Sequence, residues 1–235
     1  MDQIRLLFTA NAGVLLRLPR FYAAVDAFHN KRTPPFSPVP VELMGQFSQD
    51  GTLSELQAVI VSHCHPDHCT LREVRSAMEM APNAVLLAPE QLMDRQILLT
   101  GPACHIHAGD VSMDFYRLRH DGLKYRAKAL YGIVLESGGR RILMPGDCMD
   151  HADVERMTNG AQTDVAILNF PWITLPKNRL FVDNVLQPKH LVIFHLPPPG
   201  DDTEGFLPAT LKMADRLKHV QDVRILTQPG QEEQL

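Results

Sequence analysis

A chain of 235 residues, 45% hydrophobic and 21% charged, has the composition of an ordinary globule with room for a sizeable core. Its net charge of -4 and sequence pI near 6.2 give no general electrostatic drive towards nucleic acid, and no apolar run approaches the roughly 18 residues of a membrane helix. The four cysteines, Cys64, Cys69, Cys104 and Cys148, do not make a small-domain disulfide frame, and Asn11 interrupts the only apolar stretch near the start, which lacks a basic n-region. No signal peptide is expected, and a reduced, cytoplasmic setting is the default.

Residues 4–8, 14–18 and 22–25 predict three short strands, separated by Asn11-Ala12-Gly13 and by Pro19-Arg20. Residues 33–41, with prolines at 34, 35, 38 and 40, cannot join a regular ladder and are expected to form a stiff loop. A short helix over 42–49 follows.

Residues 58–61 are apolar without alternation, as in a strand buried on both faces. His63, His65, Asp67 and His68 come where that strand stops, and such crowding of imidazoles and a carboxylate calls for cations among them. His63 and His65 share parity, so in extended backbone both rings point the same way. Pro66 turns the chain and brings Asp67 and His68 in from a second direction. Imidazole and carboxylate suit zinc and its borderline neighbours, and four donors in one turn exceed what a single ion needs from it. Thr70 and Glu73 then fit a capping box for a helix striped with Leu71, Val74, Met78 and Ala81.

The stretch H-C-H-P-D-H resembles the H-x-H-x-D-H signature of the metallo-β-lactamase superfamily of binuclear metal hydrolases. The resemblance covers nearly the whole chain and implies an α/β fold, a four-layer αββα sandwich, forming one hydrolase domain over residues 1–235. Asp26, after the third strand, matches an early aspartate of that family and would orient a metal ligand.

Beyond the motif helix, 84–87 predicts a strand, and Pro89 a helix start that Gly101 ends. Residues 104–108 and 113–119 predict strands, the second leading to His120. Residues 130–136 and 141–144 predict a hairpin running into Pro145-Gly146-Asp147. Further strands are expected at 164–168, 190–194 and 222–227, helical structure at 178–186, and a last helix whose buried stripe is Leu207, Leu211, Ala214 and Leu217. A ligand type follows a strand at His63, Asp147 and His195, and strands of one sheet end at a common edge. His105 and His107 share the H-x-H spacing but lack the following D-H pair.

By the resemblance, His63, His65 and His120 hold one metal, Asp67, His68 and His195 the other, and Asp147 bridges them. Asp67 could also orient the attacking water. The implied cofactors are two divalent ions, zinc first, with manganese or iron compatible. The expected chemistry is attack by a bridging hydroxide, since metal-bound water has a pKa of about 7 against about 15.7 in bulk. His29, Tyr131, Phe170 and Trp172 are candidate pocket walls or proton donors. Arg117, Arg119, Lys124, Arg126 and Lys128 crowd around His120, which could favour an anionic substrate. A small-molecule partner is expected, with neither nucleic acid nor membrane.

The leading reading is a lactonase-like hydrolase of a small ester or lactone, with a phosphodiesterase or nuclease of the same superfamily second. A thioesterase of the glyoxalase II kind is disfavoured because no helical domain follows His195. A flavodiiron role is disfavoured because His65 stands where that pattern has a glutamate. A non-catalytic metal-binding protein would have lost ligands, and none of the seven is missing.

Overall fold

The computed structural model describes residues 3–235. In chain order the elements are β1 (Arg5–Ala10), β2 (Gly13–Leu18), β3 (Phe21–Val25), α1 (Val41–Gln49), β4 (Ala58–Ile60), α2 (Leu71–Met80), β5 (Val85–Ala88), β6 (Ile97–Leu98), β7 (Ala103–Ala108), β8 (Val111–Leu118), β9 (Leu130–Ser137) and β10 (Arg140–Met144). There follow α3 (His151–Thr158), β11 (Val165–Asn169), α4 (Pro171–Thr174), α5 (Pro176–Phe181) with a π-helical turn over Val182–Leu186, β12 (His190–Phe194), α6 (Phe206–Ala214), β13 (Asp222–Ile225) and β14 (Glu232–Gln234). They build two seven-stranded sheets, ordered β14-β1-β2-β3-β4-β5-β6 and β13-β12-β11-β10-β9-β8-β7. Each is antiparallel at one end and parallel at the other, the change falling at β3 and at β10.

Side-chain parity sets the layers. Leu6, Phe8, Val14, Leu16, Ala58 and Ile60 of the first sheet face a central core shared with Tyr131, Ile133, Leu135, Val165, Ile167, Val192 and Phe194 of the second. Their neighbours in sequence face outward: Leu15 and Val59 pack on a cluster with Val74 and Ala77 of α2, and Leu130, Val134, Ala166 and Ile193 on one with Val154, Trp172 and Phe181. Strands buried on both faces, with helices over the outer ones, make the αββα sandwich that the family resemblance implies. The parallel strands β3, β4, β10, β11 and β12 all deliver their C-terminal ends to one rim, where the ligand types lie.

Three local expectations are corrected, and one strand is added. Residues 89–96 are not helical: the Gln96 side-chain carbonyl accepts from the backbone N–H of Leu92 and Met93, at 2.8 and 2.9 Å, and only the short β6 follows. Thr70 starts α2 without closing a capping box; Thr70 Oγ1 accepts from Asn30 N at 3.2 Å and Glu73 Oε1 from Asn30 Nδ2 at 2.6 Å, so the pair fastens the loop after β3 instead. The predicted stripe of α6 holds only in part: Ala214 and Leu217 pack against the outer cluster of the second sheet, but Leu211 does not. Asp202 caps the backbone N–H groups of Phe206 and Leu207, α6 buries Thr210, and Leu211 is left 50% exposed. Finally β14, too polar to be seen as a strand, pairs with the edge strand β1.

Candidate metal centre

Each ligand type sits just beyond a strand or in the turn that follows it. After β4, Ser62, His63 and His68 are almost fully buried, while His65 is half exposed. His68 N and Cys69 N both bond to the His65 carbonyl, at 3.0 and 2.9 Å, so the turn that Pro66 starts carries Asp67 and His68 back beneath the first two histidines. His120 follows β8 and Asp147 follows β10, with Asp121 N bonding Asp147 O at 2.9 Å to tie these two loops together. His195 follows β12.

All seven side chains meet. His63 Nε2 lies 3.1 Å from His65 Nδ1, which lies 3.2 Å from His120 Nε2. On the other side His68 Nε2 and His195 Nε2 are 3.2 Å apart, and His195 Nε2 is 3.9 Å from Asp67 Oδ2. Asp147 stands between: its Oδ2 is 3.5 Å from the Nε2 atoms of His63, His68 and His120, and its Oδ1 is 3.6 Å from His195. Donors on a tetrahedral ion with bonds of about 2.0–2.1 Å stand about 3.3 Å apart. The observed spacings cluster around that value, so the residues present fit two cations with one shared carboxylate.

The protonation states point the same way. Burial holds His63 and His195 below the usual imidazole range, and burial with the neighbouring His63 and His120 brings His65 down to about 4. Uncharged rings whose lone pairs converge at 3.1–3.2 Å repel one another unless a cation sits among them. His68 goes the other way. Burial lowers it, but Asp147 and Asp26 outweigh burial and raise it well above the ordinary value, so an ion on that side displaces a proton. Burial would raise the Asp147 carboxyl, yet His68, His195 and His63 hold it well below the carboxylate range. It stays ionised and can bridge.

A second ring of residues fixes the first. Asp26, left-handed at φ 48°, accepts from Ser62 N at 2.8 Å, Ser62 Oγ at 2.5 Å and His68 Nδ1 at 2.9 Å, which aims His68 Nε2 inward. Ser62 Oγ lies 2.9 Å from His63 Nδ1, and His120 Nδ1 donates to the Asp121 carbonyl at 2.7 Å, again leaving Nε2 to the site. Both Asp26 oxygens are thus engaged by Ser62 and His68.

Two further residues escaped the sequence reading. Asn11, in the β1–β2 turn, donates from Nδ2 to the Asp67 carbonyl at 2.9 Å and to Asp67 Oδ2 at 3.2 Å, while its own carbonyl accepts from His195 N at 2.9 Å. It therefore holds two members of the second group. Asn169, at the end of β11, donates from Nδ2 to Asp147 Oδ1 at 2.8 Å, which leaves Oδ2 to face the three histidines. Both asparagines end or follow apolar strands at the ligand rim, the one signal that could have flagged them.

Beside the cluster is a cavity of about 250 Å³. Phe36 from the proline-rich loop reaches it, its ring edge-on to His195 at 4.4 Å, and Phe170 lies on its wall. Other expected pocket residues lie elsewhere. Tyr131 is fully buried and donates to the Gly101 carbonyl at 2.8 Å; Trp172 is fully buried and donates to Cys148 O at 3.1 Å; His29 is 1% exposed and off this cavity. Cys148 belongs to neither donor group; its buried Sγ lies 3.4 Å from Asp150 N and 3.9 Å from Asp153 Oδ2. The basic residues near His120 are largely engaged: Arg119 with Asp150 at 2.5 Å and Asp153 at 3.4 Å, Lys128 with Glu90 at 3.5 Å.

The sandwich and the histidine–aspartate rim define the class of metal-dependent hydrolases with the metallo-β-lactamase fold. The family model described as the beta-lactamase superfamily domain matches residues 25–218, and the chain belongs to that family. Among solved structures it is similar to Igni18, a metallo hydrolase from the hyperthermophilic archaeon Ignicoccus hospitalis, at 15% identity and TM-score 0.69 over 99% of this chain and 98% of that one. It is equally similar to the metallo-beta-lactamase fold protein YhfI from Bacillus subtilis, at 14% identity and TM-score 0.69 over the whole of both chains. An isothiocyanate hydrolase from Delia radicum gut bacteria matches at 15% identity and TM-score 0.66, over 97% and 98%. No curated protein matches the sequence. Among the described residues, no helix is long and apolar enough to cross a membrane.

Proposed function

We propose that the chain is a binuclear hydrolase, lactonase-like in its chemistry, which cleaves a small carboxylic ester or lactone. The observation that supports this is the pair of donor groups, His63, His65, His120 and Asp147 in one and Asp67, His68 and His195 in the other, beside a cavity of about 250 Å³. Two bound divalent ions, zinc in the first place, would supply a nucleophile from water and Lewis-acid polarisation of the substrate oxygen. His63, His65 and His120 would hold one ion and Asp67, His68 and His195 the other, with Asp147 shared. Asn169 keeps Asp147 turned so that one oxygen faces both groups, and Asn11 keeps Asp67 and His195 in register. Phe36 and Phe170 border the space where a substrate carbonyl meets the cluster. Residues 1–235 are read as one hydrolase domain acting on a cytoplasmic small molecule.

A panel of lactones, carboxylic esters and bis-aryl phosphodiesters tests this with protein loaded with zinc, manganese or iron. Turnover of an ester or lactone that His63→Ala removes is the expected result. Turnover of phosphodiesters alone would replace this reading with phosphoryl chemistry at the same cluster.

A further inference from the structure

We propose that the cavity selects an uncharged substrate with a small apolar body, and discriminates against one carrying an anionic group beside the scissile bond; this rests on the hydrolase reading. The walls carry the claim. Beyond the cluster's own side chains and Asn169, the cavity is bounded by Phe36, Tyr125, Met149, Phe170 and Pro171, with Asp121 as the remaining charged group. Among the described residues no lysine or arginine lines it.

The nearby cations do not supply what is missing. Arg119 and Lys128 are bound to carboxylates, Arg117 lies over the Tyr131 ring at 5.9 Å, and the Lys124 ammonium sits 4.6 Å above the Tyr125 ring. The proline-rich loop's own Arg32 is held by both oxygens of Asp201, each at 3.1 Å. A substrate anion placed between Phe36 and Phe170, away from the ions, would lose part of its hydration with no lysine or arginine on the wall to pair with, and Asp121 on the same wall adds negative charge. Desolvating an unpaired charge is far costlier than desolvating a methyl group, and a like charge on the wall adds repulsion against the wrong substrate. Asp121 is held in place through its backbone, by Asp147 on one side and His120 on the other. The volume is below the roughly 300 Å³ at which pockets for drug-sized ligands begin, which suits an acyl or aryl group of a few carbons.

Two esters of one leaving group separate charge from size: ethyl valerate and monoethyl succinate, assayed by chromatography of the acid product on the metal-loaded full chain. The neutral ester is expected to show a kcat/KM about 100-fold higher, the scale that a mismatched pocket group imposes. Asp121→Asn should shrink that ratio by about tenfold, and Phe36→Ala should lower kcat/KM for the valerate by about tenfold. Equal or greater turnover of the succinate would overturn the proposal and leave the hydrolase reading standing. If neither ester is cleaved, the cavity is read by binding alone, and the hydrolase reading is decided separately by the panel of lactones and phosphodiesters. Greater thermal protection of the loaded protein by butanethiol than by beta-mercaptopropionate supports the neutral preference, and the reverse order refutes it.

Discussion

Replacing Asp147 with alanine is expected to cut kcat/KM by about a thousandfold or more and to lower metal content from about two ions per chain to one or fewer. Asp147 Oδ2 is 3.5 Å from the Nε2 atoms of His63 and His120 in one group and of His68 in the other. No other carboxylate of the seven reaches both. In the proposed binuclear centre, loss of Asp147 would remove the charge that offsets two dications and the atom that sets the separation of the two halves. Stabilisation of transition-state charge by paired metals amounts to several kcal/mol, and each 1.36 kcal/mol is a factor of ten in rate. Steady-state kinetics and elemental analysis on the same preparation check both parts. A variant that keeps two ions and activity within tenfold would show that Asp147 is not the bridge.

Asn11→Gly is expected to weaken metal binding by about 10–100-fold while the fold survives, the range found when a partner of a metal ligand is removed. Glycine is the informative choice because Asn11 sits in left-handed backbone at φ 50°, a conformation asparagine tolerates and glycine adopts freely. The main-chain carbonyl that accepts from His195 N would remain, so the substitution isolates the amide that holds Asp67. Chelator competition measures the affinity, and thermal unfolding of the metal-free form checks that the turn is intact. Unchanged affinity would reduce Asn11 to a turn residue.

What could be seen in the sequence was whatever depends on local order along the chain. The run Ala58–Ile60 leading into H-C-H-P-D-H is one strand and one turn, so apolar content and side-chain parity were enough to place four donors. Asp147 and His195 stand past strands of the parallel part of one sheet, which share an edge, whereas His120, after the antiparallel β8, was singled out by its position in the family resemblance. Asn11 and Asn169 were not, because their importance lies in what they touch across the sandwich, and an amide after a strand is ordinary. Three non-glycine residues of the site, Asn11, Asp26 and His195, hold positive φ between 48° and 59°, strain imposed by tertiary contacts that no periodicity announces. Residues 89–96 misled for a related reason: Pro89 has the form of a helix start, but Gln96 supplies the acceptor for two backbone N–H groups that a helix would have bonded internally. The stripe failed at Leu211 because an Asp202 cap, five residues away at most, fixed where α6 begins.

The basic residues around His120 show the opposite error, in which composition suggested more than geometry delivers. Arg117, Arg119, Lys124, Arg126 and Lys128 are close in sequence, yet none lies on the cavity wall. Arg119 and Lys128 pair with Asp150, Asp153 and Glu90, Arg117 and Lys124 lie over two tyrosine rings, and Arg126 is exposed; arrangements of this kind can be known only once the chain is folded.

The most direct test is the metal content of the full chain after reconstitution with zinc and removal of excess ion. About two ions per chain are expected, falling in the His63→Ala and His195→Ala variants, which each take one donor from a different group. A replete preparation that binds no ion would contradict the claim that these seven side chains form a binuclear centre.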